Sequence, residues 1–143
     1  MKEVTDELKQ KALDKKLKFS LNVDEGNYKT KLDTDKMRQI IGNVIDNSIK
    51  YTPAGSVDVD LSTADKKMLL KVSDTGIGIP KGGIEKLFKK FSRLENANNG
   101  NITGTGLGLY LTKEVVKAHG GKVWVESEGE NKGSQFFIEL NAS

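Results

Sequence analysis

Hydrophobic positions along the chain change period several times, and each change marks an element. Over residues 2–14, Val4, Leu8 and Ala12 recur at four-residue spacing in a background rich in lysine and glutamate. That pattern predicts a thin amphipathic helix with little apolar surface of its own. Leu17, Phe19, Leu21 and Val23 then alternate with Lys18, Ser20 and Asn22, the period of a half-buried strand. Asp24 to Asn27 reads as a turn, and Tyr28 to Leu32 as a short second strand. Thr34 or Asp33 caps a helix beginning near Asp35, whose apolar positions are Met37, Ile40, Ile41, Val44, Ile45 and Ile49. It ends before Pro53. Val57, Val59 and Leu61 alternate with polar residues, and Met68 to Val72 forms another apolar run after Ala64-Asp65-Lys66-Lys67. A β-hairpin accounts for both. Residues 73–106 are rich in glycine, asparagine and short apolar clusters. A helix follows from about Gly106 to His119, closed by Gly120-Gly121, and Val123 to Val125 pairs with Phe136 to Leu140 in a second hairpin. This order predicts an α+β fold: a two-layer α/β sandwich with a mixed, mostly antiparallel sheet and helices on one face. Strictly alternating βαβ units are absent, which excludes a Rossmann-type chain.

Composition narrows the function classes only a little. The 143 residues suit one domain, and 36% hydrophobic against 30% charged residues marks a well-solvated globular chain. The net charge of +3 is too small and too scattered to argue for nucleic acid, and serves a polyanionic small ligand equally well. Without cysteine, disulfides and thiolate metal sites are excluded, and the expectation is a cytoplasmic chain. No apolar run approaches the roughly 20 residues that cross a bilayer.

Four segments carry candidate chemistry. Asn43, Asn47 and Lys50 stand at i, i+4 and i+7 and so project from one side of the predicted helix, beside its apolar stripe. An asparagine carbonyl is a hard neutral oxygen ligand suited to Mg²⁺, and lysine is a mobile point charge for phosphate; a solvated helix face explains the same spacing. Ser73-Asp74-Thr75-Gly76-Ile77-Gly78-Ile79-Pro80 follows a strand directly. Asp74 there offers an acceptor for an exocyclic amine, and Gly76 and Gly78 let the backbone come close to a ligand, although any polar turn looks similar. Gly104-Thr105-Gly106-Leu107-Gly108-Leu109 opens a helix, where free N–H groups make a phosphate cradle. It lacks the Gly-Lys-Ser/Thr of a P-loop and the preceding strand of a dinucleotide fingerprint. Phe88 and Phe91 suit the anchored base of a hinged loop, or ordinary core residues.

Taken in order, Asn-x3-Asn-x2-Lys-Tyr, Asp-x-Gly-x-Gly, Phe-x2-Phe and Gly-x-Gly-x-Gly resemble the N, G1, F and G2 boxes of sensor histidine kinases. The superfamily also includes gyrase, heat-shock chaperone and mismatch-repair ATPases. The resemblance runs from about Leu13 to Leu140. It implies a domain over residues 15–143 that binds ATP and Mg²⁺, with Asn47 as metal ligand and Asn43 supporting the metal and phosphates. By the same resemblance Lys50 contacts phosphate, and Tyr51 packs at the adenine. Asp74 accepts from the adenine amine, partly through water with Thr75, while Gly76, Gly78 and Ile79 shape that pocket. Residues 92–104 become an ATP lid, with Gly104, Thr105, Gly106, Leu107 and Gly108 around the phosphates and Arg93 near the γ-phosphate. ATPase branches carry glutamate as general base where this chain has Asn43, which cannot take a proton; that favours a kinase. The phosphoacceptor histidine is then expected on a separate dimerisation domain, with residues 1–14 as its linker and a response regulator as indirect partner. His119, the sole histidine, reads as a helix cap, and the piece as a monomer. The rival readings are a free-standing ATP-binding switch or anti-sigma-type serine kinase of the same superfamily, and a nucleotide-sensing module without transfer.

Overall fold

The computed structural model describes residues 2–23, 34–79, 108–129 and 131–141. The strand expected over Tyr28 to Leu32, the two phenylalanines, Arg93, and Gly104 to Leu107 lie outside the described residues. Helices α1 (Lys2–Asp14), α2 (Thr34–Lys50) and α3 (Gly108–Ala118) accompany strands β1 (Lys18–Val23), β2 (Ser56–Ala64), β3 (Lys67–Asp74), β4 (Lys122–Glu126) and β5 (Ser134–Asn141). The strands form one sheet in the order β1-β2-β3-β5-β4. Only β1/β2 is parallel, with α2 in its connection; the other three pairs are antiparallel. The mixed, mostly antiparallel sheet with helices on one face is as the pattern predicts.

The core lies between that sheet face and the helices. Ile40, Ile41, Val44, Ile45 and Ile49 of α2 are all buried, against Val57, Val59, Leu70, Val72, Phe136 and Ile138 of the sheet. Each such side chain contributes roughly 1.5–3 kcal/mol when removed from water. Both β3 and β5 bury every second residue, so Asp74 and Ser134 fall at the inward positions that end the two series. Residue 73, one step earlier, faces the other way.

The ends of the elements follow local chemistry. Gly120 takes φ +74°, and Gly121 and Gly120 donate to the carbonyls of Val116 and Lys117, closing α3 in a Schellman motif. His119 Nδ1 bonds the Val115 carbonyl at 2.8 Å, which makes the imidazole a cap as expected. Helix α1 ends the same way without glycine: Lys16 takes φ +63°, and the Leu17 N–H reaches the Ala12 carbonyl at 2.9 Å. The β2–β3 turn puts Asp65 and Lys66 at φ +52° and +62°, the type I′ geometry that twists with the strands.

One sequence expectation holds only in part. Alternation predicts a half-buried β1, yet Leu21 and Val23 are 38% and 52% exposed. Among the described strands β1 has a neighbour on one side only, and α1 packs near its start, where Leu17 and Phe19 are covered.

Candidate functional site

The site is assembled where α2 ends and β3 turns away from the sheet. Asn43, Asn47 and Lys50 do share one side of α2, and all three are half-buried. Asn43 Nδ2 reaches the buried Thr112 hydroxyl of α3 at 3.4 Å, which ties the two helices together. The Lys50 ammonium lies 3.1 Å from Asp46 one turn earlier, and Asp46 also receives Lys11 of α1 at 3.4 Å. Lys15 donates to the Ile49 carbonyl at 2.7 Å, so the turn that follows α1 supplies a cation to the C-terminal end of α2. Burial holds the Lys15 amine below the usual lysine range, with Asp46 acting in the opposite direction.

The loop after β3 docks on that helix end. Gly76 packs so closely that a Cβ would stand 2.1 Å from the Tyr51 carbonyl oxygen, and the next N–H, of Ile77, donates to the same carbonyl at 2.9 Å. Gly78 takes φ +70° and faces the Gly129 carbonyl, while Asn131 N–H bonds the Ile77 carbonyl at 2.7 Å. Ile79 is buried and its N–H meets the Ser127 hydroxyl at 3.1 Å. The two glycines the sequence singled out are therefore required by backbone contact, not merely tolerated.

Asp74 is the buried charge of the site, 8% exposed. Its Oδ1 accepts the Gly76 N–H at 2.9 Å and its Oδ2 accepts the Ser134 hydroxyl at 2.7 Å. Burial pushes its carboxyl above the usual carboxylate range; the Ser134 hydroxyl, the N–H groups of Gly76 and Ser134, and the Ser48 hydroxyl oppose this without cancelling it. Ser48 contributes least, and its buried hydroxyl makes no hydrogen bond among the described residues. A carboxylate has about four lone-pair sites, so Asp74 can still accept a further donor from a ligand.

The other predicted residues fall into place unevenly. Tyr51 is half-buried against the core beside Ile77. Thr75 is exposed, and its hydroxyl accepts the Ser56 N–H at 3.0 Å, aimed at the β2 end of the loop and away from the Asp74 cluster. Gly108 is the first residue of α3. Sequence reasoning missed Ser134, Ser127, Thr112 and the role of Ser48. The register that pairs Asp74 with Ser134 is set 60 residues away in sequence, and no local motif marks it. A cleft of about 380 Å³ also borders Asp74 and Ser134, but it is lined by Ser73, Glu126, Lys132 and Gln135, and so opens on the outer sheet face.

Comparison with known proteins bears on the family and the fold. Residues 32–143 match the sequence family described as histidine kinase-, DNA gyrase B-, and HSP90-like ATPase. The sensor histidine kinase WalK of Bacillus subtilis (strain 168) is 37% identical over 127 residues, covering 87% of this chain and 21% of that protein. The sensor protein kinase WalK of Staphylococcus saprophyticus is 40% identical over 114 residues, covering 78% of this chain and 18% of the relative. The chain thus spans about a fifth of the length of these curated relatives. Among solved structures, a mycobacterial sensor histidine kinase, MprB, superposes with a TM-score of 0.81 at 26% identity, covering 99% of this chain and 91% of that one. Full-length ShkA, solved with AMPPNP, gives 0.78 at 26% identity, covering 99% of this chain and 29% of that one. With the boxes, the fold and the match over most of its length in agreement, the chain belongs to the histidine kinase-, DNA gyrase B-, and HSP90-like ATPase family.

Proposed function

We propose that this chain binds Mg²⁺-ATP and serves as the catalytic domain of a two-component sensor histidine kinase, passing the γ-phosphoryl group to a histidine on a separate dimerisation domain. The observation that carries the reading is the buried Asp74 carboxylate, fixed between the Gly76 N–H and the Ser134 hydroxyl beside the Asn43/Asn47/Lys50 side of α2. A buried ionised acceptor recognises an amine donor well, because a wrong partner leaves it unpaired. The adenine amino group is such a donor. That ShkA was solved with AMPPNP supports a nucleotide here, and the sensor-kinase names of the relatives favour histidine transfer over serine transfer.

The donor set also fits Mg²⁺. The Asn47 side chain makes no hydrogen bond to another described residue, and its neutral oxygen suits an ion that keeps water and phosphate ligands. When bound, the ion offsets phosphate charge. Lys50 then supplies a cation to the phosphates once Asp46 shares it. Asn43 holds α2 to α3 through Thr112 and cannot act as a base toward water, so the γ-phosphate is protected from hydrolysis. Arg93 and Gly104 to Gly108 complete the phosphate side in this reading. In transfer, the bond from the γ-phosphorus to the bridging oxygen breaks, a phosphorus–nitrogen bond forms at the acceptor imidazole, and ADP leaves. The chain works at the cytoplasmic side of its parent, as a monomer in isolation, with a response regulator downstream. Among the described residues no helix is long and apolar enough to cross a membrane.

Calorimetric titration with a non-hydrolysable ATP analogue, with and without Mg²⁺, tests the reading. Saturable binding that loses its Mg²⁺ dependence in Asn47→Ala is the expected result. A folded sample that does not bind the analogue at millimolar concentration would overturn it.

A further inference from the structure

We propose that the cleft between α3 and β4 is a docking groove for an acidic, extended segment of a partner protein, which adds to the sheet as a strand beside β4. Among the described strands β4 pairs only with β5, so its other edge presents backbone N–H and C=O groups to whatever lies alongside. Helix α3 packs beside that edge. Between them runs an open cleft of about 400 Å³, lined by Lys113 and Lys117 from the helix and by Gly121, Lys122, Val123 and Trp124 from the strand side. The groove is far from Asp74 in sequence and shares no residue with the candidate nucleotide site.

Two properties of this groove select the occupant. The first is charge. Lys113, Lys117 and Lys122 are all exposed, and none makes an ion pair with a described residue. Of the carboxylates on the adjoining elements, Glu139 is engaged by Lys67 at 3.4 Å, and Glu114 and Glu126 line no part of the cleft. The two helix ammonium groups, with Lys122 beside them opposite Glu139, repel a basic strand that would otherwise use the edge, are costly to cover with a neutral one, and attract an acidic one. The second is the wall. Trp124 stacks on Phe137 with ring centroids 5.0 Å apart and planes 7° from parallel, and Lys71 lies 5.9 Å from the Phe137 centroid. The indole is thus held in one orientation before anything binds, on the outer face of the edge, while Val123 faces the helix side, so each face of the edge offers a fixed apolar side chain at low entropic cost. A strand with carboxylates on one side and apolar side chains on the other meets both demands at once, because its side chains alternate. Strand β4 has five residues, which sets the length of the segment it can pair.

Trp124 is the only tryptophan in the chain, so it reports its own groove. The probe is a blocked hexapeptide of alternating glutamate and valine, titrated into the whole chain while tryptophan emission and amide chemical shifts are followed. The expected result is a saturable emission change with shifts at residues 121–126. It weakens about tenfold in the double variant Lys113→Glu/Lys117→Glu, and on raising the salt concentration. Both lysines are exposed helix positions, so the variant is expected to keep the parent melting temperature and its affinity for the ATP analogue. Four results would each overturn the proposal: no saturable response, equal binding by the double variant, equal binding of a lysine–valine peptide, or dimerisation through β4 without peptide in light scattering. The last would make a second copy the occupant.

Discussion

Replacing Asp74 with asparagine separates the part of this carboxylate that holds the fold from the part that recognises a ligand. Oδ1 accepts from the Gly76 N–H, a group that can only donate, so the asparagine carbonyl must occupy that place. The amide nitrogen then lies where Oδ2 was, 2.7 Å from the Ser134 hydroxyl, which can turn and accept. These two hydrogen bonds survive, and only the support that the Ser134 N–H gives the charged carboxylate is weakened. A ligand amine that approached Oδ2 now meets another donor and loses a charge-assisted bond worth about 1.5–3 kcal/mol. That predicts a loss of about 10- to 150-fold in nucleotide affinity at pH 7, read by calorimetry with the ATP analogue.

Stability moves the other way in Asp74→Asn. Because burial raises the folded pKa of Asp74, the folded chain binds this proton more tightly than the unfolded chain. Its contribution is full below the unfolded pKa and is lost as the pH rises through the folded one. The variant lacks that loss, so its melting temperature at pH 7 should equal or exceed that of the parent, and the gap should close in acid. An unchanged Kd would refute the role of Asp74 as the ionised acceptor. A variant less stable than the parent at neutral pH would refute the burial argument.

Two further perturbations follow from the geometry. Asp46→Asn frees Lys50 from its ion pair, and should tighten triphosphate binding by up to about fivefold, the reach of a partly exposed pair, while AMP affinity stays unchanged. Weaker triphosphate binding would mean that Lys50 does not face phosphate. Lys66→Gly relieves a left-handed residue in the β2–β3 turn and should raise stability by about 1 kcal/mol in urea denaturation; a lower midpoint would show that the lysine is better accommodated than its φ implies.

Much of this architecture was legible because the relevant patterns are local. The 3.6-residue stripe of α2, the alternation in β2 and β3, and the glycines at 76, 78 and 120 each have one strong physical reading. What escaped was decided across the sheet or by context. Ser134 is an unremarkable residue until β5 pairs with β3 and sets its hydroxyl on Asp74. Ser48 reads as a small residue on a helix, and only the tertiary packing of α2 removes it from water. The turn at Asp65-Lys66 carries no glycine, so composition did not betray its left-handed backbone. Leu21 and Val23 alternate as a buried strand should, but strand position, not alternation, sets how much of a face is covered.

The tight turn at Asp65-Lys66 has a consequence for how this sequence tolerates change in length. From Met68 to Asp74 the chain counts in twos, and Asp74 faces the helices only because the count is even. An insertion or deletion of one residue within β3 would send the carboxylate to the outer face and turn Ser73 or Thr75 inward in its place. A change of two residues restores the facing. Recognition chemistry at one end of this hairpin is therefore subject to a parity rule along its length. Lengthening is best tolerated within the turn itself, where Asp65 and Lys66 are exposed and carry no facing to preserve.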